Sequence, residues 1–429
     1  MSKLLFKGGR VIDPSQNLDA VKDLRVVDGH ISTDPIDDSE TVIDATGLVI
    51  CPGFIDLHTH LGEPGKSSQE TFASGTRAAA AGGFTTVVTM PDTNPAADDP
   101  QTIAWIRQKA AETACVRILP AGALSQGRNG EGLAPIGSLF KAGIVAITDS
   151  PISVQNNSLM RHALSYASMF KLPVFDPCRE EALTAGAAMH EGYWSTVLGL
   201  KGSPVVAEEM MVARNILLAE TTGCHIHCQQ ISTAGSVSLL REAKKRDVPI
   251  SGEATPHHLI FTDANVEGYN TCFKVEPPLR TEKDLAALIE GLADGTIEHL
   301  VTDHTPCCAY EKEVEFDAAP FGIVGLETAV GLFFTHLVHT NKMTLSQVIR
   351  CLTTNPARLL HRETGSLKAG SVADITVLDP TKEWTVQPEN FYSSARNTPF
   401  GGMKLKGRPV MTFVEGRQVW SEEKRSLKI

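Results

Sequence analysis

Hydrophobic and polar positions along the chain fall into three successive patterns. In residues 1–50, short apolar or alternating runs are separated by Gly, Asp and Pro, which is typical of β-strands joined by turns. From about residue 51 to 350, apolar strand-like runs alternate with longer segments whose apolar residues recur at helical spacing. After a further helical stretch near 346–360, short β-type runs return.

The middle region predicts a repeated β-then-α order and therefore a parallel sheet. Its strands are predicted at 85–89, 117–119, 145–148, 174–175, 225–228, 250–253 and 300–302. Its helices are predicted at 69–81, 100–113, 136–142, 158–169, 206–222, 235–245, 282–292 and 325–339. So many repeats in one run favour a closed barrel. The alternative, an open doubly wound sheet, lacks a Gly-x-Gly-x-x-Gly at a first strand turn.

The fold class expected from these patterns is α/β, a TIM-like (β/α)8 barrel with a small composite β-sandwich domain. We expect the barrel to span residues 51–364. Residues 1–50 and 365–429 together would form the β domain, because both ends of the chain carry short β-type runs.

Composition narrows the expected partners and surroundings. The 429 residues carry a net charge of −11, which argues against nucleic acid or an anionic membrane surface as a partner. The sequence has no uninterrupted run of about 18 apolar residues, so it predicts no membrane span. The nine cysteines are an odd number scattered over a long chain, unlike a secreted disulfide framework. We therefore expect a cytoplasmic protein that contacts neither membrane nor nucleic acid.

Two histidines follow an apolar segment, residues 48–55, that is typical of a strand. His58 and His60 are two residues apart, so on a strand they face the same way, as two imidazole ligands of a metal must. Acidic residues follow other predicted strands at Asp92, Asp149 and Asp303.

In a barrel of this type, the chemistry lies at the C-terminal ends of the strands. The residues alone therefore predict a metal held by His58, His60 and one or two carboxylates. Asp303 would act as a ligand and as the proton carrier.

At these residues the sequence resembles class I dihydroorotases of the amidohydrolase superfamily, almost from end to end. The matching segments are 52–56, 79–86, 187–192, 254–259, 277–280, 302–304, 320–325, 365–374 and 397–400. The resemblance implies the same barrel, of metal-dependent-hydrolase type, and the same composite β domain. It also implies a zinc enzyme of pyrimidine biosynthesis that interconverts dihydroorotate and carbamoyl-aspartate.

Compared with this family position by position, the sequence has some of the metal ligands and lacks others. His58 and His60 match the first two ligands, Asp149 matches the aspartate that bridges two metals, and Asp303 matches the catalytic aspartate. Two further ligand histidines are replaced by Pro177, which has no side-chain donor, and by Gln230, a poor zinc ligand. We therefore expect one zinc ion at most, or none.

The family's substrate-binding positions are mostly altered as well. An arginine is replaced by Gly62, two asparagines by Asp92 and Glu276, and a histidine by Cys307, while Phe321 and Gly322 lie in a matching motif. Each lost or repulsive contact costs about 1–3 kcal/mol. The carboxylates at positions 92 and 276 would also repel an anionic substrate.

These changes suggest a degenerate site like that of pseudo-dihydroorotases, which are structural partners of aspartate transcarbamoylase. The first hypothesis is a weakly active or non-catalytic homologue with that role. The alternative is an active mononuclear zinc cyclic amidohydrolase, acting either on dihydroorotate or on another cyclic amide or ureide. A homo-oligomer is expected from the family.

The sequence also allows a different metal site, formed by cysteines. The thiols of Cys178, Cys228, Cys307 and Cys308 could gather near the barrel mouth. The competing interpretation is that they are buried small apolar residues.

Overall fold

The computed structural model describes residues 3–33 and 40–423 and contains a closed barrel of eight parallel strands. The strands are Phe54–Thr59, Phe84–Thr89, Arg117–Pro120 continued by Gly122–Ala123, Ile147–Thr148, Val174–Pro177, Ile226–Gln229, Ile250–Ala254 and His299–Leu300. Each pairs in parallel with the next. A bridge between Thr59 and His304 closes the ring. The predicted (β/α)8 barrel is therefore confirmed.

Helices outside the strands complete the β/α repeats. They are Phe72–Ala81, Pro100–Thr113, Ile136–Ala142, Asn157–Ser168, Val206–Thr222, Ala234–Lys244, Glu282–Ala293 and Leu345–Leu352. Local sequence fixes where they begin: Asp99 caps the second of them, with Pro100 at the first helical position, where a missing N–H costs nothing. Within the described residues, no helix combines the length and apolar character that crossing a membrane requires.

The β domain is built from both ends of the chain. A four-stranded sheet has the order His30–Ser32, Leu24–Val27, Lys3–Lys7 and Thr41–Asp44, and a six-stranded sheet has the order Arg417–Ser421, Lys404–Val414, Ile375–Thr385, Val49–Pro52, Arg10–Asp13 and Leu18–Val21. Val49–Pro52 pairs antiparallel with Ile375–Thr385, which joins the two ends in one sheet. The domain boundaries at 50/51 and 364/365 stay a prediction, and strand Val49–Pro52 crosses the first.

The segment 48–55 is not the single strand that its apolar run predicts. It divides at Gly53 into Val49–Pro52, in the β domain, and Phe54–Thr59, in the barrel. A Cβ at Gly53 would lie 2.2 Å from Oγ1 of Thr85, so only glycine fits where the chain passes between the two sheets. The barrel strand that carries His58 therefore begins close against the β domain.

Shorter elements connect the barrel units. The predicted helix 325–339 begins only at Ala329–Phe333 and continues as a π-helical turn, Phe334–Val338. The predicted stretch 346–360 is interrupted at Thr353, beyond which Thr354–Leu359 forms a separate helix. The remaining short elements are Glu181–Thr184, Met189–His190, Tyr193–Leu198, Gly202–Ser203, Pro256–Ile260 and Ala309–Lys312, with 3₁₀ turns at Gln126–Arg128, Asp263–Val266, Thr271–Phe273 and Pro388–Asn390.

Candidate metal centre

His58, His60 and Asp303 come together at the C-terminal end of the barrel. One ligand atom from each lies within 4.8 Å of the others, and all three residues are buried. His58 lies on the first barrel strand, His60 follows its last residue, and Asp303 follows the eighth strand. The closing bridge between Thr59 and His304 holds these two strand ends side by side, which brings the three side chains together.

Two carboxylates fix the orientation of the histidines. Nδ1 of His58 lies 2.6 Å from Oε1 of Glu253, and Nδ1 of His60 lies 2.9 Å from Oδ1 of Asp92. If each Nδ1 donates its proton to the carboxylate, each Nε2 keeps a lone pair for a metal. Glu253 also lies 2.8 Å from Nε2 of His227, so its two oxygens serve two imidazoles.

The Glu253 carboxylate also sets the charge of His58. Burial lowers the pKa of His58, but the carboxylates of Glu253 and Asp303 outweigh that effect and raise it to about 9. The two histidines in turn hold the pKa of Glu253 below its usual value, despite burial. Because a metal binds the neutral imidazole, an ion must displace the proton of His58.

Asp303 offers an unused oxygen to this site. Its Oδ1 is buried, has no hydrogen-bond partner and lies 3.7 Å from Nε2 of His58. Its Oδ2 lies 3.6 Å from Nε2 of His257, whose ring nitrogens have no hydrogen-bond partner either. Burial raises the pKa of Asp303, although His58 and His60 oppose that rise. Two imidazoles and a carboxylate form a donor set that suits zinc and leaves a fourth position open.

The structure does not bring Asp149 into this group. Its Oδ1 accepts the backbone N–H groups of Leu124 and Ser125 at 2.9 and 3.0 Å, and its Oδ2 accepts the Ser125 hydroxyl. Pro177 ends the fifth barrel strand without a donor, and Gln230 follows the sixth strand. The geometry therefore provides ligands for one ion, contributed by the first and eighth strands.

The cysteines do not form a metal site. Among the described residues, His58, His60 and Asp303 form the one group of three or more ligand side chains within 4.8 Å, and no cysteine belongs to it. Burial raises the pKa of Cys307 to about 11 and that of Cys178 well above its usual value. Their thiols therefore stay protonated, as in buried small apolar residues.

A chamber of about 420 Å³ lies against two of the three ligands, His60 and Asp303. It is lined by His60, Asp92, Pro151, Ile152, Arg179, Gln230, Glu276, Asp303, Thr305, Pro320, Phe321 and Gly322. Most of the residues predicted from the family's substrate positions therefore do lie around one cavity.

The two carboxylates in this chamber are not isolated charges. Oδ2 of Asp92 lies 3.2 Å from Nζ of Lys66, in addition to its contact with His60. Oε2 of Glu276 lies 3.2 Å from Nη1 of Arg179. The sequence predicts that these carboxylates repel an anionic substrate, whereas each of them has a cationic partner here.

Gly62 lies where no side chain fits. A Cβ at this position would lie 2.1 Å from the carbonyl oxygen of Lys66 and 2.5 Å from that of Glu70. The loop has therefore closed around the position where the resembling family carries an arginine.

Cys307 and Gly322 are held together by Asn397 from the C-terminal segment. The Asn397 side chain accepts the backbone N–H of Cys307 at 3.0 Å and donates to the carbonyl of Gly322 at 3.1 Å. Cys307 therefore lies in a loop that is tied to the chamber wall.

Sequence reasoning missed four residues of this site: Glu253, His257, Lys66 and Arg179. Glu253 had a signal, because a single carboxylate inside the apolar strand Ile250–Ala254 must find a buried partner. His257 lies in the matching segment 254–259, and it faces Asp303. Lys66 and Arg179 lie on loops, whose folded positions no periodicity predicts.

Comparisons with known proteins agree with this architecture. A family described as "Dihydro-orotase-like" matches residues 47–236, and one described as "Amidohydrolase family" matches residues 303–420. An L-hydantoinase (dihydropyrimidinase) from Arthrobacter aurescens superposes with a TM-score of 0.90 at 23% identity, covering 100% of this chain and 98% of its own. At that identity the likeness concerns the fold.

Sequence relatives are much closer. A dihydroorotase of Pelotomaculum thermopropionicum is 49% identical, covering 98% of this chain and 99% of its own length. A dihydroorotase of Syntrophus aciditrophicus is 45% identical, covering 98% of this chain and 100% of its own.

Proposed function

The chain belongs to the dihydroorotase family, and from that premise we propose that it is a hydrolase of cyclic amides that uses a single metal ion. Its proposed substrate is dihydroorotate, which it would open to carbamoyl-aspartate. The observation that carries this proposal is the buried group of His58, His60 and Asp303, in which both histidines are oriented by carboxylates. Burying a polar group without a partner costs free energy, and a bound metal ion would offset that cost for the free oxygen of Asp303.

His58, His60 and Asp303 would hold the metal, and a zinc ion bound there would supply Lewis acidity toward an amide carbonyl and a water molecule. The proton chemistry falls to Asp303. Its carboxylate would take a proton from the attacking water and pass it to the leaving ring nitrogen.

The experiment that tests this function is the rate of dihydroorotate ring opening by purified, zinc-supplemented protein. The His58→Ala variant serves as the blank, and Asp303→Ala tests the proton carrier. The proposal expects a rate above the blank that Asp303→Ala removes. A wild-type rate equal to the blank, for dihydroorotate and also for dihydrouracil and hydantoin, would contradict it.

A second candidate function is that of a non-catalytic partner of aspartate transcarbamoylase. The observation favouring it is the loss of two of the family's ligand histidines. One is replaced by Pro177, which has no side-chain donor, and the other by Gln230. This candidate expects no turnover and a stable complex with the transferase, detectable by native mass spectrometry. Measured turnover that exceeds the His58→Ala blank would reject a purely structural role.

A further inference from the structure

One cation faces the chamber beside the metal centre. Among the described residues that line this cavity, Arg179 is the one lysine or arginine. It lies two residues beyond the end of the fifth barrel strand, Val174–Pro177, in the loop that follows Pro177. Gly62, where the resembling family carries an arginine, lies after the first strand. Arg179 and this family position therefore lie at the ends of different strands.

The Arg179 guanidinium has hydrogen-bonding capacity that the protein does not use. Its Nη1 pairs with Oε2 of Glu276 at 3.2 Å, and its Nη2 is 3.8 Å from Oε1 of Glu181, beyond hydrogen-bond distance. Its Nε is buried and has no hydrogen-bond partner. A guanidinium has five N–H donors in a planar fork, and a carboxylate is the group that such a fork binds best.

The other nearby cations do not line this chamber. Lys66 contacts Asp92 and has a side chain 41% exposed to solvent. Arg280 is buried and donates to the Ser203 carbonyl at 2.8 Å and the Ser232 hydroxyl at 3.1 Å. Arg179, with a side chain 24% exposed, is the cation that is both accessible from the chamber and short of partners.

We propose that Arg179 binds the carboxylate of the substrate, in place of the arginine that the family carries at position 62. The inference rests on the proposed function and deepens it: the substrate is a cyclic amide with an anionic substituent, held with that substituent toward the fifth-strand side of the barrel. Glu276 competes with the substrate carboxylate for the same guanidinium, so it weakens anion binding.

Equilibrium binding of two probes tests the inference without requiring turnover. Orotate carries the ring carboxylate and uracil lacks it, so calorimetric titration of the zinc-supplemented protein with each isolates the contribution of that group. Arg179→Gln should weaken orotate binding roughly tenfold to a hundredfold and change uracil binding less than about twofold. Glu276→Gln should tighten orotate binding, and the exposed control Arg246→Gln should change neither probe.

The outcomes separate this inference from the proposed function. Orotate binding that Arg179→Gln leaves unchanged, or weakens equally with uracil binding, would overturn the role of Arg179, as would a wild-type protein that binds no orotate. Orotate binding that depends on Arg179 in a protein without turnover would support Arg179 while rejecting the hydrolase. Thermal unfolding of each variant shows whether a weakened titration reflects lost structure.

Discussion

Inside the barrel, Oε1 of Glu253 lies 2.6 Å from Nδ1 of His58, and this contact leaves Nε2 of His58 to face Asp303. The same carboxylate reaches His227 with its other oxygen at 2.8 Å. Nδ1 of His227 lies 2.9 Å from the Ser251 hydroxyl oxygen, and Nε2 of His225 lies 2.9 Å from the same oxygen. The orientation of the first metal ligand is therefore fixed by a buried chain of hydrogen bonds that spans the sixth and seventh strands.

Glu253→Gln should weaken zinc binding about tenfold to a hundredfold, because an amide offers one acceptor where the carboxylate serves two imidazoles. The zinc dissociation constant, measured by competition with a chelating dye, checks this expectation. Glu298→Gln is the matched control, since Glu298 lies at the opposite barrel end and pairs with Lys244. Equal zinc affinity in wild type and Glu253→Gln would mean that Glu253 does not position His58.

Gly62→Ala should destabilise the protein by about 1–3 kcal/mol, because the added Cβ would meet two backbone carbonyl oxygens that cannot move independently. Urea unfolding measures the free energy. Gly132→Ala is the control, since its Cβ would have no neighbour closer than 3.9 Å. A Gly62→Ala variant as stable as wild type would show that the loop has room for a side chain.

Glu327 should make stability depend on pH. Burial raises its pKa from 4.5 to about 8, although its carboxylate accepts the N–H groups of Tyr392 and Ser393. Between those two values the folded protein holds a proton that the unfolded chain has released, so stability falls as pH rises through this window.

Glu327→Gln keeps the acceptor oxygen and removes the titration. Relative to wild type, the variant should gain about 4 kcal/mol between pH 5 and pH 9, as measured by urea unfolding at both pH values. The exposed Glu389→Gln variant serves as the control. A difference between Glu327→Gln and wild type that does not change with pH would reject the assignment.

Much of the fold could be predicted because its signals are local. Helices Pro100–Thr113, Ile136–Ala142 and Val206–Thr222 have the bounds that their apolar spacing predicts. The division at Gly53 could not be predicted, because it depends on a close approach to Thr85 on another strand. Periodicity describes which face of an element is apolar, not which sheet an element joins.

The candidate site, like the fold, could be predicted only where its signals are local. The spacing of His58 and His60 on a strand end predicts a shared ligand geometry, and their ring centroids lie 5.3 Å apart. The partners of Asp92 and Glu276 could not be predicted, because Lys66 and Arg179 reach them from loops. A charge judged from the sequence alone therefore omits the cation that pairs with it in the fold.

The measurement that tests the account most directly is the number of zinc ions bound per chain, determined by elemental analysis after dialysis against buffered zinc. His58, His60 and Asp303 predict one ion in the wild-type protein and its loss in His58→Ala and in Asp303→Ala. No bound zinc, or one ion that remains in both variants, would contradict the assignment of the metal centre.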